Sequence, residues 1–496
     1  MNTTNPLNFG NQTINSTRAR RRWATLLSVT FILGACGDNL ETDCANPGDC
    51  EETPAVSLPG SLESSHQAMR SSSSGGVRPT TGNRIWHVDP TKTASGSGLT
   101  WNGAFNSLET AISHADQGDR IWLKQGIYHP ERRTDPNDPR SATFQLPLGV
   151  RIIGGFLGHE TAAHQRVQDP GATILSGDLG ITGNPTDNAY RVAMVIGTEG
   201  EDERPRKLYN LTIADGYADQ DGYAKGAALR LEGAMGYLYD VIIRDNYSRD
   251  GGALLVMGSE LEFVRGRMEN NQTDGKGGAL FAQAGFVHVA NVVFAHNEAQ
   301  KGGAVYLHSI AEWPSFSAPY VSFTNVLMHH NSAVVAGGAA YLHGSHILGA
   351  GRAHFSQCTI VDNDAGNLGG GIRAKTNTTM AAQVTIENSI VAHNQAPTDT
   401  DLSGEQSVVS SNVLSGALGV KNISAEPVFV DRANHNYRLD STSPSVGTGD
   451  YSLLQYDILD LDNDGVLTEA VPYDLDGRPR LAGGNVDQGA YERVAP

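Results

Sequence analysis

Residues Asp460-Leu461-Asp462-Asn463-Asp464-Gly465-Val466-Leu467-Thr468-Glu469 place three carboxylates at alternate positions ahead of a glycine. Oxygens at positions 1, 3 and 5, a sharp turn at 6 and a main-chain carbonyl at 7 wrap hard donors around one cation. The spacing predicts calcium, in a structural role, held by Asp460, Asp462, Asp464, the carbonyl of Val466 and Glu469. Position 12 is Val471 and not glutamate, so Glu469, Asp474 or Asp476 must complete the shell. An acidic, solvated turn is the alternative reading of the same residues.

A second set of groups sits in short alternating segments such as Ala304-Val305-Tyr306-Leu307-His308. If Val305 and Leu307 point inward, Tyr306 and His308 point outward. Stacking equivalent segments gives one column of Arg230, Leu255, Phe281, Tyr306, Tyr341 and Arg373. The next column is Glu232, Met257, Gln283, His308, His343 and Lys375. An exposed aromatic row flanked by basic and imidazole groups suits a sugar chain. This makes Arg230, Phe281, Tyr306, His308, Tyr341, His343, Arg373 and Lys375 candidate ligand-binding residues. Aromatic columns also stabilise a sheet with no ligand at all, and both readings stay open.

Catalytic chemistry is less visible. A glycoside hydrolase needs paired carboxylates, roughly 5–10 Å apart. Asp362 and Asp364 flank Asn363 with no third partner in the sequence. His296, His330 and His393 each precede an asparagine of the repeat described next, where a turn-packing role is expected.

These residues need a scaffold, and the repeat supplies one. LYDVIIRDN ends at Asn246, FVRGRMENN at Asn271, VANVVFAHN at Asn297, FTNVLMHHN at Asn331, FSQCTIVDN at Asn363 and IENSIVAHN at Asn394. Leu208–Gly216 is an earlier copy ending in glycine. The asparagines are 25, 26, 34, 32 and 31 residues apart. Glycine pairs such as Gly277-Gly278 and Gly302-Gly303 follow most copies and lead into the alternating segments. Strand, turn and strand at a period near 25 residues predict a solenoid of parallel strands. The longer intervals are loop insertions, one of them around Ala311–Ala318. The asparagines are expected to take the left-handed turn conformation and to hydrogen-bond from coil to coil. Cys358 falls in the column of Val241, Val292 and Val326, which predicts a buried thiol.

The two ends differ from the repeat. Leu108, Ala111, Ile112 and Ala115 lie on one face of a short helix that would plug the first coil. The stretch after residue 425 is an irregular tail. Glycine makes up 57 of 496 residues, and the formal net charge is −18. That much glycine argues against helical bundles, and the acidic surface against nucleic-acid binding.

Arg18, Arg20, Arg21 and Arg22 precede an apolar run, Trp23–Ala35, that is too short to span a bilayer and reads as a secretory signal. Its end, Leu33-Gly34-Ala35-Cys36, resembles a bacterial lipobox. The resemblance implies cleavage before Cys36, lipidation of that cysteine and, with Gly37 next, display at the outer membrane or cell surface. Cys44 and Cys50 flank a short loop and are expected to form a disulfide outside the cytoplasm. The expected organisation is a signal over 1–35, a disordered tether over 36–83 and an N-terminal cap with first coils over 84–200. Repeats fill 201–425 and the tail 426–496.

The repeats are similar to right-handed parallel β-helix proteins of the pectin-lyase-like superfamily. The glycine pairs, with Phe294-Ala295-His296-Asn297, resemble the GGA and FxxN elements of polymorphic outer-membrane proteins. GVRIIGGFLG, ATILSGDLG and the tail resemble surface proteins of the choice-of-anchor Q type over residues 84–492. The acidic loop is similar to an EF-hand loop. Together these imply an all-β, right-handed parallel β-helix with a capping helix and an irregular tail. They imply a monomer held to a membrane by lipid, serving as a structural, carbohydrate-binding or adhesive module. The alternative is a polysaccharide lyase or glycoside hydrolase. Neither the Arg-Pro-Arg signature of pectate lyases nor the polygalacturonase set is found, so whether the chain is an enzyme stays open.

Overall fold

The structure is a computed structural model that describes residues 83–197, 205–308, 320–344, 352–375, 383–415, 419–462, 464–481 and 485–493. The expected signal over 1–35, Cys36, the Cys44 and Cys50 pair, the tether up to residue 82 and the insertion around Ala311–Ala318 lie outside these residues.

Strands stack in parallel from coil to coil, and the architecture is a right-handed parallel β-helix. One coil shows the plan. Within the long strand Leu280–Ala295, the chain bends at Ala284 and Gly285, which have φ of 58° and 103°. It bends again at Asn291 (φ 55°), leaves through His296 (φ 55°), and passes along Glu298–Lys301 to the next glycine pair. Gln283 pairs with His308, and Phe286 with Tyr320, so the extra residues of the longer interval enter at the first of these bends.

The repeat has two left-handed columns, and neither is the asparagine column. One is the third residue of each nine-residue motif: Asp240, Arg265, Asn291, Asn325, Gln357 and Asn388. The other is the eighth: Asp245, Asn270, His296, His330, Asp362 and His393. The final asparagines, expected to take that conformation, do not. They turn inward, where their amides have a different task. Each Nδ2 donates to the Oδ1 of the next asparagine at 2.8–3.0 Å through Asn246, Asn271, Asn297, Asn331, Asn363 and Asn394. Each Oδ1 from Asn271 onward also accepts the main-chain N–H of the preceding asparagine. The ladder ends on a carboxylate: Asn394 donates to Asp401 Oδ1 at 2.9 Å.

The glycine pairs answer two separate demands. Gly302 has φ of 66°, a region costly for residues with a side chain. Gly303 instead lies against the next coil, where an added Cβ would sit 2.2 Å from the Gly338 carbonyl oxygen.

Inward side chains form a continuous apolar core from Trp86 to Val413. Phe323 and Phe355 stack in it with centroids 4.8 Å apart. Cys358 is fully buried there, and burial pushes its thiol up to about 12, so it is inert filler.

The N-terminal end belongs to the same stack. Ile85–Val88 pairs with Arg120–Lys124, which pairs with Arg151–Phe156, which pairs with Arg206–Ala214. The single α-helix among the described residues, Leu108–His114, starts at Ser107, whose hydroxyl accepts the Thr110 N–H. Leu108 and Ala111 of this helix enter the core.

The tail lies along the outside of the coils. A short antiparallel pair, Phe429–Asp431 with Asn436–Leu439, opens it. Tyr437, Leu439 and Tyr491 pack on the outer residues Leu327, Val361 and Ile390. Further on, Leu461 and Val471 pack on Val264 and Ala290.

Candidate functional site

The aromatic column has the register read from the sequence. Leu255 pairs with Phe281, Phe281 with Tyr306, Tyr306 with Tyr341, and Tyr341 with Arg373. It does not face solvent. Phe281, Tyr306 and Tyr341 are only 2–3% exposed and form a second apolar cluster with Leu255, Ala336, Val335 and Leu368. The fourth segment of each coil folds over the rings, which alternation along one strand does not reveal. Tyr306 and Tyr341 stack at 5.3 Å, with the Lys276 and Lys301 ammonium groups over their faces at 5.6 and 5.7 Å. Buried in this way, the rings pack within the protein, as the sheet-stabilising reading requires.

The flanking groups are engaged along the same face. Arg230 pairs with Glu232 two residues on, and Arg373 Nη1 donates to Ser403 Oγ at 2.7 Å. His308 and His343 stack at 5.2 Å, and His343 Nδ1 lies 3.2 Å from the Tyr306 hydroxyl. Lys375 continues that column beside His343 in register.

A cleft of about 720 Å³ lies elsewhere, where the tail crosses the turns that follow the core strands. Its floor is the ladder side of the coils at Asn331 and Asn363, and its walls include His296, His330, Asp362, Asp364, Gln395, Arg432 and His435. The coils supply the first of these, and the tail supplies Arg432 and His435. His435 sits at the end of a short turn with φ of 60°, which aims its ring back at the coils.

Asp362 now has the partners its sequence neighbours lack. Arg432 binds it through Nε at 3.0 Å and through Nη2, and the Tyr437 hydroxyl donates to it at 2.8 Å. Burial alone would raise the Asp362 carboxyl, but these hydrogen bonds outweigh it and hold the group below its ordinary range.

The histidines do more than pack turns. His330 and His435 have ring centroids 4.3 Å apart, His296 and His330 5.2 Å, and His296 and His435 5.6 Å. His329, the last residue of Leu327–His329, is buried beneath them, with its Nδ1 3.1 Å from Nδ1 of His330. Burial and the three neighbouring imidazoles push His329 down to about 3. Burial, then His435, lowers His296 and His330 as well. These shifts favour the uncharged ring at His296, His329 and His330. His393 stands apart, paired with Glu426 at 3.0 Å. The recurrence of histidine before the ladder asparagine was the one available signal; the position of the tail had none.

The acidic loop closes at its neck, where Tyr456 bridges Ala470 and Val471 N–H donates to Gln455 O at 2.8 Å. Oxygens of Asp460, Asp462 and Asp464 lie within 4.8 Å of one another. Asp457, absent from the predicted set, forms a second such group with Asp462 and Glu469. Asp457 is buried, and its Oδ1 has no hydrogen-bond partner, like Glu469 Oε1. Burial and the adjoining carboxylates push Asp457 up to about 6 and raise Glu469. Converging oxygens with two orphaned acceptors fit a hard cation. Val466 is half exposed in the same loop, and its N–H donates to Asp464 Oδ1.

No known family profile matches the chain, and no curated protein does. Among solved structures, the crystal structure of pectate lyase Pel9A is similar at 14% identity and a TM-score of 0.40, over 84% of this chain and 98% of that one. A rhamnogalacturonan lyase is similar at 13% identity and a TM-score of 0.43, over 77% of this chain and 99% of that one.

Proposed function

We propose that this chain is a surface-displayed β-helix that binds a saccharide chain in the cleft between the tail and the ladder turns. One observation carries the reading. The cleft gathers imidazoles, an ion-paired carboxylate and guanidinium, a free-standing carboxylate and an amide along one edge of a rigid stack. Sugar hydroxyls both donate and accept, and a mixed set of this kind matches them, while imidazole faces accept the apolar side of a pyranose ring. Calcium in the Asp460 loop would brace the tail that forms one wall. Lipidation of Cys36 would hold the molecule at the outer membrane or cell surface, and the Cys44 and Cys50 pair would close a loop beside the anchor. The expected state is a monomer. The test is binding of the full chain, kept in chelator, to neutral and uronate oligosaccharides. Arg432→Ala and Asp364→Ala should weaken capture of at least one glycan about tenfold, and equal binding by both variants would reject the cleft.

An enzymatic reading on the same cleft has its own support. Neutral imidazoles can act as general bases near pH 7, and Asp362 stays ionised beside them. Incubation with uronate polymers, with unsaturated ends followed by absorbance, decides for or against lyase chemistry.

A further inference from the structure

We infer that His296, His329 and His435 form a binding site for a divalent transition metal of the zinc class. This inference concerns the metal alone and does not depend on saccharide binding in the same cleft.

The three ligands come from separated parts of the chain. His296 follows the strand that ends at Ala295, His329 pairs with Ala295 on the next coil, and His435 arrives from the tail. One ring nitrogen of each lies within 4.8 Å of the other two. Three imidazole nitrogens on one tetrahedral zinc would stand about 3.3 Å apart, given bonds of about 2.0–2.1 Å. The difference is within reach of ring rotation, because His296 and His435 are exposed while His329 is fixed by burial. The rings are also splayed, at 82°, 44° and 55° between pairs, so they converge on a point and do not stack flat.

The surroundings suit an imidazole-bound metal. Imidazole binds such a metal through a ring nitrogen lone pair, and each of the three rings has one that lies within 4.8 Å of the other two. His330 is positioned behind His329 by the Nδ1 contact, and Tyr437 links His330 to Asp362 through contacts of 3.4 and 2.8 Å. Such outer contacts orient ligand rings. The charges facing the group are mixed. Arg267 and Arg432 are cationic, but Arg432 is neutralised by Asp362, and Glu269 lies near His296. Three nitrogen donors from imidazole, with room for water in an open cleft, favour zinc, nickel or copper over calcium or magnesium.

The experiment is titration of the full, chelator-treated chain with zinc alone, followed by calorimetry, and with cobalt alone, followed by its visible spectrum. The expected result is one zinc per chain outside the acidic loop, and a cobalt spectrum of a nitrogen-ligated site. His296→Ala and His435→Ala, both at exposed positions, should each weaken zinc at least 100-fold with melting temperature of the metal-free protein unchanged. His393→Ala and the double variant Asp462→Ala/Asp464→Ala should keep zinc binding. Absence of zinc binding, or equal affinity in the His296 and His435 variants, overturns the site. Neither result bears on oligosaccharide capture measured in chelator.

Discussion

Arg480 and Asn325 meet across 155 residues, with Nη2 of the arginine donating to Oδ1 of the asparagine at 2.5 Å and both side chains buried. Asn325 also donates to the carbonyl of Tyr473 at 2.7 Å and to Asn291 Oδ1 at 2.8 Å. A left-handed corner of the solenoid is thereby joined to the tail. The tail is part of the folded unit and not an appendage.

Arg480→Ala should detach it. The guanidinium also pairs with Glu492 at 3.4 Å in the interior and donates to the Gly489 and Ala490 carbonyls. Removing one partner strands a buried carboxylate, which costs about 3–5 kcal/mol. Limited proteolysis should cut the variant between 430 and 490 while the coils stay intact. Uniform resistance, with an unchanged denaturation midpoint, would show that the tail is held by its apolar contacts alone.

Much of this fold could be read directly. A period set by asparagine and glycine pairs fixes coil length, and register then follows residue by residue, as the Phe281, Tyr306 and Tyr341 column shows. Alternation gives the side of the strand but not what covers it, so that column looked exposed. The left-handed column at the third motif position is masked in the sequence by Arg265 and Gln357, which interrupt the Asp240, Asn291, Asn325 and Asn388 that tolerate such a bend. The cleft was invisible for a different reason. His296 and Asp362 repeat with the coils, but Arg432, His435 and Tyr437 sit in a non-repeating segment whose docking position no period records.

Tyr306→Ala tests the buried column. Excising a ring that is 2% exposed should cost about 3–5 kcal/mol by chemical denaturation. Tyr306→Phe keeps the ring, removes the hydroxyl that meets His343, and should cost about 1 kcal/mol or less. Glycan binding per folded molecule should be the same in both variants as in the parent. A loss of affinity without a loss of stability would return the column to the role of a ligand platform.

Asp401 gives a pH signature. It terminates the asparagine ladder, and burial pushes it up to about 6, against the hydrogen bonds from Asn394 that favour its ionised form. Its folded value exceeds its unfolded value, so the native state holds the proton longer. Stability from this group is therefore greatest below about pH 4 and falls as pH rises through the window to about 6. Asp401→Asn keeps an oxygen for Asn394 and carries no charge. It should match the parent at pH 4 and exceed it by about 1–3 kcal/mol at pH 8. Parallel stability profiles for the two proteins across pH 4–8 would refute a buried, strained carboxylate at this position.

Calcium should act through the loop that Asp457 completes. Without a cation, Asp457 Oδ1 and Glu469 Oε1 are buried without partners, and the surrounding carboxylates repel. A bound ion would satisfy both acceptors and cancel the repulsion. It would also tighten the neck from which Leu461 and Val471 reach Val264 and Ala290 on the coils. Ligand that binds only the native state stabilises it by about 2.7 kcal/mol at 100 times its dissociation constant. Calcium added to stripped protein should thus raise the melting temperature, and magnesium, which resists dehydration, should do so less. Asp462→Ala/Asp464→Ala should abolish the response. Asp457→Asn should weaken it while raising the melting temperature of the metal-free protein, because the change removes a buried charge that only the cation offsets. A double variant that responds to calcium as strongly as the parent places the ion elsewhere. An Asp457→Asn protein that is no more stable than the parent without metal would mean that the orphaned oxygen is solvated.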